Sequence, residues 1–191
     1  GSLFKWGTLL GRSQLNHKIK PLNNPQDTES QIRGYLKAHP DGKRISKHRV
    51  AFKGGSVIMN FTPDGATDVT AVTQESTGGA QSVLTTYGYE EGCPSGLTQK
   101  WFCFYEHTYY KGRMLQFRDC APIWGHKETF ADYGFQRKTS SWVNTKTDTG
   151  VDVFVNPDWT GRLWVMGHGL TKSSNVGVAN NDRAYTFTAF C

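Results

Sequence analysis

What the chain lacks narrows its possibilities first. No run of 18 or more apolar residues occurs in its 191 residues, so no segment reads as a membrane-spanning helix. Cysteine is missing from the first 92 residues, and the four that follow, Cys93, Cys103, Cys120 and Cys191, show no C-x2-C spacing of a zinc site or redox pair. Signatures of catalysis are missing too: there is no G-x-S-x-G nucleophile elbow, no H-E-x-x-H, no phosphate loop and no dinucleotide fingerprint. His126-Lys127-Glu128 matches the H-x-E fragment of zinc deaminases but lacks the accompanying P-C-x-x-C, and reads as chance. His107, beside Glu106, reads as support for a hairpin rather than as a base. The expectation is a protein that is not an enzyme.

Charge is sparse and unevenly placed. Charged residues make up 20% of the chain, which together with 21 glycines suits turn-rich β structure. Residues 54–92 hold no Lys or Arg and five Asp/Glu, whereas residues 1–53 hold eleven Lys/Arg against three Asp/Glu, a balance of +8. Such an excess could hold an acidic partner, such as a cell-envelope polymer, a nucleic acid or an acidic enzyme surface. A solvated face is the plainer reading, and nucleic acid is the least favoured partner. The opening Gly1-Ser2 reads as a cloning scar, with the native start and any signal peptide expected beyond the sequence given.

The most specific feature present is a repeat. Tyr105-x4-Tyr110-x-Gly112 and Phe154-x4-Trp159-x-Gly161 are the same pattern at a constant offset of 49 residues. The first aromatic would lie on a strand and pack under the turn that follows. The second would close that turn, and the glycine would supply a positive φ that other residues reach only at a cost. Each copy is followed by an Arg and an apolar stretch, so each reads strand, folded hairpin, strand. Eighteen of the 25 aromatic residues fall between Trp101 and Phe190, enough to fill a small two-sheet core. Tyr109, Trp124 and Trp159 are the ones that could instead be exposed contact residues. The four cysteines all lie in this half, and their even number argues for disulfides and an oxidising compartment, with three pairings open.

The N-terminal half reads as a separate module. Residues 1–26 form a basic segment without a clear pattern. Residues 27–62 predict a helix from Asp27 or Thr28, with capping-box spacing at Thr28-x-x-Gln31, ended by His39-Pro40-Asp41-Gly42. A hairpin follows, Val50–Phe52 and Ser56–Phe61 around Lys53-Gly54-Gly55. Asn60-Phe61-Thr62 is a glycosylation sequon by pattern, but its neighbours suggest a strand. Residues 63–92, rich in Thr, Ser and Gly, read as a linker, and residues 93–191 as the second domain.

That second domain resembles the βγ-crystallins, and its surroundings are similar to the secreted bacterial proteins of peptidase inhibitor family I36. The likeness rests on the repeat and on Cys93-Pro94-Ser95-Gly96, Trp101-Phe102-Cys103-Phe104-Tyr105-Glu106-His107, Gly112–Phe117, Asp132–Phe135, Thr139–Asn144 and Asn181–Ala184. It implies an all-β, double Greek-key sandwich, preceded here by the small helix and hairpin. It also implies the pairing Cys93–Cys103 with Cys120–Cys191, although Leu97-Thr98-Gln99-Lys100 lengthens the first loop.

The resemblance further implies a two-site calcium motif, Asn/Asp-Asn/Asp-x-x-Ser/Thr-Ser, built from the hard oxygen ligands calcium prefers. Its first copy here is Gln136-Arg137-Lys138-Thr139-Ser140-Ser141 and its second Asn181-Asp182-Arg183-Ala184-Tyr185-Thr186. Arg137 puts a cation where a ligand belongs, so calcium binding is expected to be weak or missing, with the hydroxyls holding the Greek keys instead. No other cofactor is expected. Functionally the likeness implies a secreted proteinase inhibitor or a binding protein derived from one, whose partner is an extracellular protease. A cell-surface or structural module and an antimicrobial or toxin-like protein are the alternatives. The inhibitors' reactive bond lies beside a cysteine-bridged loop with no residue-level match here, so the contact loop is left unassigned.

Overall fold

A computed structural model describes residues 27–74 and 88–191. Helix α1 (Thr28–Ala38) is capped by Asp27, whose carboxylate accepts the Ser30 N–H at 2.7 Å. The capping-box reading is therefore displaced by one residue. Thr28 spends its hydroxyl on Thr62 O and Asp64 Oδ1 instead, at 2.8 and 2.7 Å. The helix stops at His39 because a residue before proline is pushed out of the α region. Its inner face, Ile32 and Tyr35, is buried, and Tyr35 donates its hydroxyl to Tyr133 O, 98 residues away.

Strands β1 (Lys43–Arg44), β2 (Arg49–Phe52) and β3 (Val57–Asn60) follow, with the β2–β3 turn at Lys53–Gly55. Both glycines there have positive φ, as this turn requires. A short helix α2 (Thr70–Gln74) and the pair β4 (Tyr89–Glu90) and β5 (Cys93–Pro94) precede the repeat region. The first repeat supplies β6 (Phe102–His107), β7 (Lys111–Phe117), β8 (His126–Thr129) and β9 (Ser141–Asn144). The second supplies β10 (Gly150–Phe154), β11 (Arg162–Met166), β12 (Thr171–Ser173) and β13 (Thr186–Phe190).

Strand order defines two Greek keys that exchange a strand. One sheet runs β1-β2-β3-β7-β6-β9-β12 and the other β11-β10-β13-β8. Within them β7-β6-β9-β12 and β11-β10-β13-β8 are the same arrangement, and in each the last strand comes from the other repeat. The inner faces meet in one aromatic core that includes Phe102, Phe104, Phe117, Phe130 and Phe187, with Phe117 and Phe187 ring centroids 4.6 Å apart.

The reading of residues 27–62 as a separate module does not hold. Strand β3 pairs with β7, Val57 opposite Phe117 through Asn60 opposite Met114, and Ile32, Phe52, Met59 and Phe61 lie in the same core as the Greek keys. A helix of 11 residues and three short strands bury too little apolar surface alone, whereas the open edge of β7 offers both hydrogen bonds and an apolar face. Nor is residue 63 onward simply a linker. Val69 and Val72 are buried against Ile58, Cys103, Met114 and Val143 on the sheet's other face, and Gly112 donates to Thr67 O at 2.8 Å. The expectations for residues 1–26, and the part of the linker at 75–87, lie outside the described residues. Asn60, the sequon asparagine, is buried and donates to Met114 O and Gln116 Oε1, which closes it to modification.

The repeated motif folds back as its residues predict, with one addition. Gly112 and Gly161 have φ of 76° and 70°, but Tyr110 and Trp159 are also left-handed, at 61° and 58°. Such a backbone is costly for a bulky side chain and is held by its contacts. Tyr110 sits 5.4 Å edge-on to Tyr105, and Trp159 Nε1 donates to Phe187 O at 3.1 Å. A lysine on each exchanged strand covers the ring, Lys172 over Tyr110 and Lys127 over Trp159, at 5.6 and 5.1 Å.

A Cβ at Gly161 would lie 2.6 Å from Val155 Cγ1, and one at Gly112 would lie 2.8 Å from His107 Cδ2. Gly112→Val and Gly161→Val should each therefore cost on the order of 1–3 kcal/mol. A midpoint lowered by about 2–4 °C per kcal/mol in thermal melting is the expected reading; unchanged melting of both variants would refute this account of the turns.

Candidate functional site

The two calcium-motif loops, far apart in sequence, meet at one end of the sandwich. Arg137 N–H donates to Ala184 O at 2.7 Å and Asp182 N–H to Thr139 O at 3.2 Å, a reciprocal pair between matching positions. Arg137 and Asp182 are both left-handed, at φ 56° and 55°. The oxygen sets of the two halves then diverge. In one, the Arg137 guanidinium lies 6.0 Å from the Tyr185 ring centroid, so a cation–π contact stands where a metal would need oxygen. In the other, Asp182 Oδ1 lies 3.4 Å from Ser140 Oγ, and Oδ2 accepts from Asn181 Nδ2 at 2.8 Å.

Of the remaining hydroxyls, all but that of Thr139, which is buried with no hydrogen-bond partner among the described residues, are engaged in the scaffold. Ser141 Oγ donates to His107 O at 2.7 Å and accepts from the Tyr110 N–H, while Thr186 Oγ1 donates to Asn156 O at 2.7 Å in the second copy. Ser140 Oγ lies 3.0 Å from Glu106 O, and Thr139 is fully buried. Gln136 is exposed and contributes nothing to a shared cage. These residues do not fit a two-ion site. Calorimetric titration should reveal no calcium site tighter than about 10⁻⁵ M, and a stoichiometric micromolar site would overturn this geometry-based expectation.

A second cluster escaped the sequence reading. Glu128, on β8 and buried between the sheets, receives Lys53 Nζ at 2.7 and 2.9 Å, His126 Nε2 at 2.8 Å and the Tyr133 hydroxyl at 2.9 Å. Burial, then the Glu128 charge, drives the Tyr133 phenol far above its ordinary value, so it remains a donor. With four contacts from three partners on its two oxygens the carboxylate is saturated, and its role is to tie the β2–β3 turn to the second sheet. Glu106 is likewise occupied. Burial pushes its carboxyl up, yet the bidentate Arg113 and the charges of Lys138 and His107 outweigh that and hold it below the usual range. Lys53→Met should therefore strand a buried carboxylate and destabilise the protein by about 1–3 kcal/mol in denaturant titration.

The opposite end of the sandwich carries the third candidate. The β7–β8 connection runs Arg118–Gly125, and Ile123 and Trp124 at its tip are 83% and 84% exposed. Its base is fastened to β13. The disulfides are Cys93–Cys103 and Cys120–Cys191, and the second ties the loop to the last residue. Ala121 N–H donates to Ala189 O, and Cys191 N–H to Ala121 O. On the far side Gly125, at φ 68°, lies so close to β13 that a Cβ there would sit 2.2 Å from Thr188 Cγ2. Of the aromatic contact residues expected from sequence, Trp124 and Tyr109 are exposed, but Trp159 is not free: its ring is held under Lys127 and hydrogen-bonded. Ile123 gave no sequence signal, because a single apolar residue acquires meaning only from the backbone that exposes it.

Strand order and disulfides together define a double Greek-key β-sandwich with a clamped loop whose tip is apolar. Residues 90–166 match the model of peptidase inhibitor family I36, a span that includes the Arg118–Gly125 loop. Among solved structures the chain is similar to a βγ-crystallin domain from Clostridium beijerinckii, at 20% identity over 48% of this chain and 98% of that one, with a TM-score of 0.38. It is also similar to a clostrillin double mutant in complex with nickel, at 19% identity over 49% and 100% of the two chains, TM-score 0.39. The βγ-crystallin from Ciona intestinalis is similar at 16% identity over 46% and 96%, TM-score 0.36. No curated protein sequence matches the chain. Among the described residues no helix is long and apolar enough to cross a membrane, and no group of three or more His, Cys, Asp or Glu is placed to hold a metal.

Proposed function

We propose that this chain is a secreted, non-enzymatic inhibitor of an extracellular peptidase, acting through the Arg118–Gly125 loop. One observation carries the reading: two large apolar side chains, Ile123 and Trp124, are held out in solvent by a loop clamped at both ends, within a segment that matches an inhibitor family. A clamped loop has little conformational entropy left to lose on binding, which is how a small contact reaches high affinity. Apolar anchors of this size are also the side chains that dominate binding energy once buried in a partner's pocket. The pairing of all four cysteines supports an oxidising, extracellular setting. The polar clusters support this reading from the other side, since Glu128 and Glu106 are both committed to structural partners.

The test is inhibition of a panel of extracellular metallo-, serine and cysteine peptidases by the full chain. At least one should be inhibited, and Trp124→Ala should weaken that inhibition tenfold or more. Because Trp124 is 84% exposed, the same substitution should leave the melting temperature nearly unchanged. Failure to inhibit any member of the panel would sink the proposal.

A further inference from the structure

The tip of the Arg118–Gly125 loop has a backbone that says how it can be used. Trp124 N–H donates to Pro122 O at 2.7 Å, closing a γ-turn around Ile123, whose φ is 63°. This hand of γ-turn is rare and strained, and a β-branched residue is a poor occupant of it. Strain of this kind persists only where the surroundings impose it, and here they do. Cys120 is bonded to Cys191, Ala121 lies opposite Phe190 in a parallel bridge, and Gly125 is pressed against Thr188 and Phe190. Both ends of the tip therefore rest on the same short stretch of β13.

The geometry can be compared with what cleavage requires. Residues 121 to 125, if extended, would span about 13 Å at roughly 3.3 Å per step. Their anchors lie along only residues 188–190, about 7 Å of strand at the same rise. The segment must fold back as long as its base is held. A peptide threaded through a peptidase cleft lies extended, with its main-chain N–H and C=O groups pairing with the cleft edge as an added strand does. Here Pro122 has no N–H, its carbonyl is taken by Trp124, and the Trp124 N–H is turned inward. The main chain is withheld, and the two side chains are what the loop presents.

We infer that the loop is a wedge that is not cut: Ile123 and Trp124 enter an apolar pocket of the peptidase side-on, and no peptide bond of residues 121–125 is aligned with the catalytic centre. This rests on the inhibitor reading above and adds the mode of contact and the partner chemistry. The partner is a peptidase whose specificity pocket accepts large apolar side chains. Affinity comes from side-chain burial in a turn already formed, rather than from a strand laid along the cleft.

The experiment uses the full, disulfide-bonded chain with extracellular metallopeptidases and serine peptidases that cut beside large apolar residues. Inhibitor and enzyme are incubated at equimolar concentration for days, residual activity is followed, and the inhibitor's mass is taken after reduction. Reduction matters because a cut within 121–125 falls inside the ring closed by Cys120–Cys191, so the pieces would otherwise stay joined. The expected result is sustained inhibition with a single uncut mass, and a tenfold or greater loss of affinity for both Ile123→Ala and Trp124→Ala. Inhibition accompanied by a cut within 121–125 would overturn the wedge while leaving the inhibitor reading in place. Inhibition unaffected by either substitution would also overturn it, by placing the contact elsewhere. No inhibition of any enzyme would overturn both.

Discussion

The exchange of β8 and β12 between the two Greek keys is the constraint on which the rest depends. Neither repeat completes its own sheet: β9 needs β12 from the second repeat, and β13 needs β8 from the first. A single aromatic core follows, because the inner faces cannot be separated without breaking both ladders. The same exchange places Lys127 and Lys172 over the aromatic ring of the opposite repeat, so the folded hairpins are held by strands that do not belong to them. It also places Glu128, carried on β8, next to Lys53 and Tyr133.

The two sheets are equivalent only as far as β7 and β11. On the first, β3 continues the sheet and brings α1 with it; on the second, β11 pairs only with β10 among the described residues. Growth on one side alone gives the molecule a long sheet and a short one. It also explains why the segment after residue 62 is not free to act as a spacer: it must cross the outer face of the long sheet, where Val69 and Val72 are buried.

Local chemistry was legible in the sequence, and contacts between distant residues were not. The repeat could be read because its function is local: an aromatic, a turn and a glycine within eight residues specify a folded hairpin wherever they occur. The helix and the β2–β3 hairpin were legible for the same reason. The docking of that hairpin was not, because the near-continuous apolar run in Val57–Phe61 states that the strand is buried without stating against what. Glu128 looked like a fragment of a chance match, since its partner Lys53 lies 75 residues away and Tyr133 becomes its donor only once the chain has turned back. Ile123 was silent altogether, because a left-handed φ at a β-branched residue runs against every local preference and is imposed by the clamp around it.

That clamp makes the loop's shape depend on redox chemistry. The bond between Cys120 and Cys191 closes a ring of 71 residues of sequence separation, which contains the whole second repeat and most of the core-forming strands of its sheet. Those strands hold one another through their ladders and would keep doing so with the bond opened, but the loop would lose its covalent tie to the last residue and keep the Arg118 bonds to Ser56 O and from Lys146 Nζ, the backbone bridge at Ala121 and the close approach at Gly125. A reducing environment would thus separate two properties that look inseparable in the oxidised molecule, leaving the scaffold standing while its presented tip slackens. The stiffness of the tip is a property of the compartment as much as of the fold.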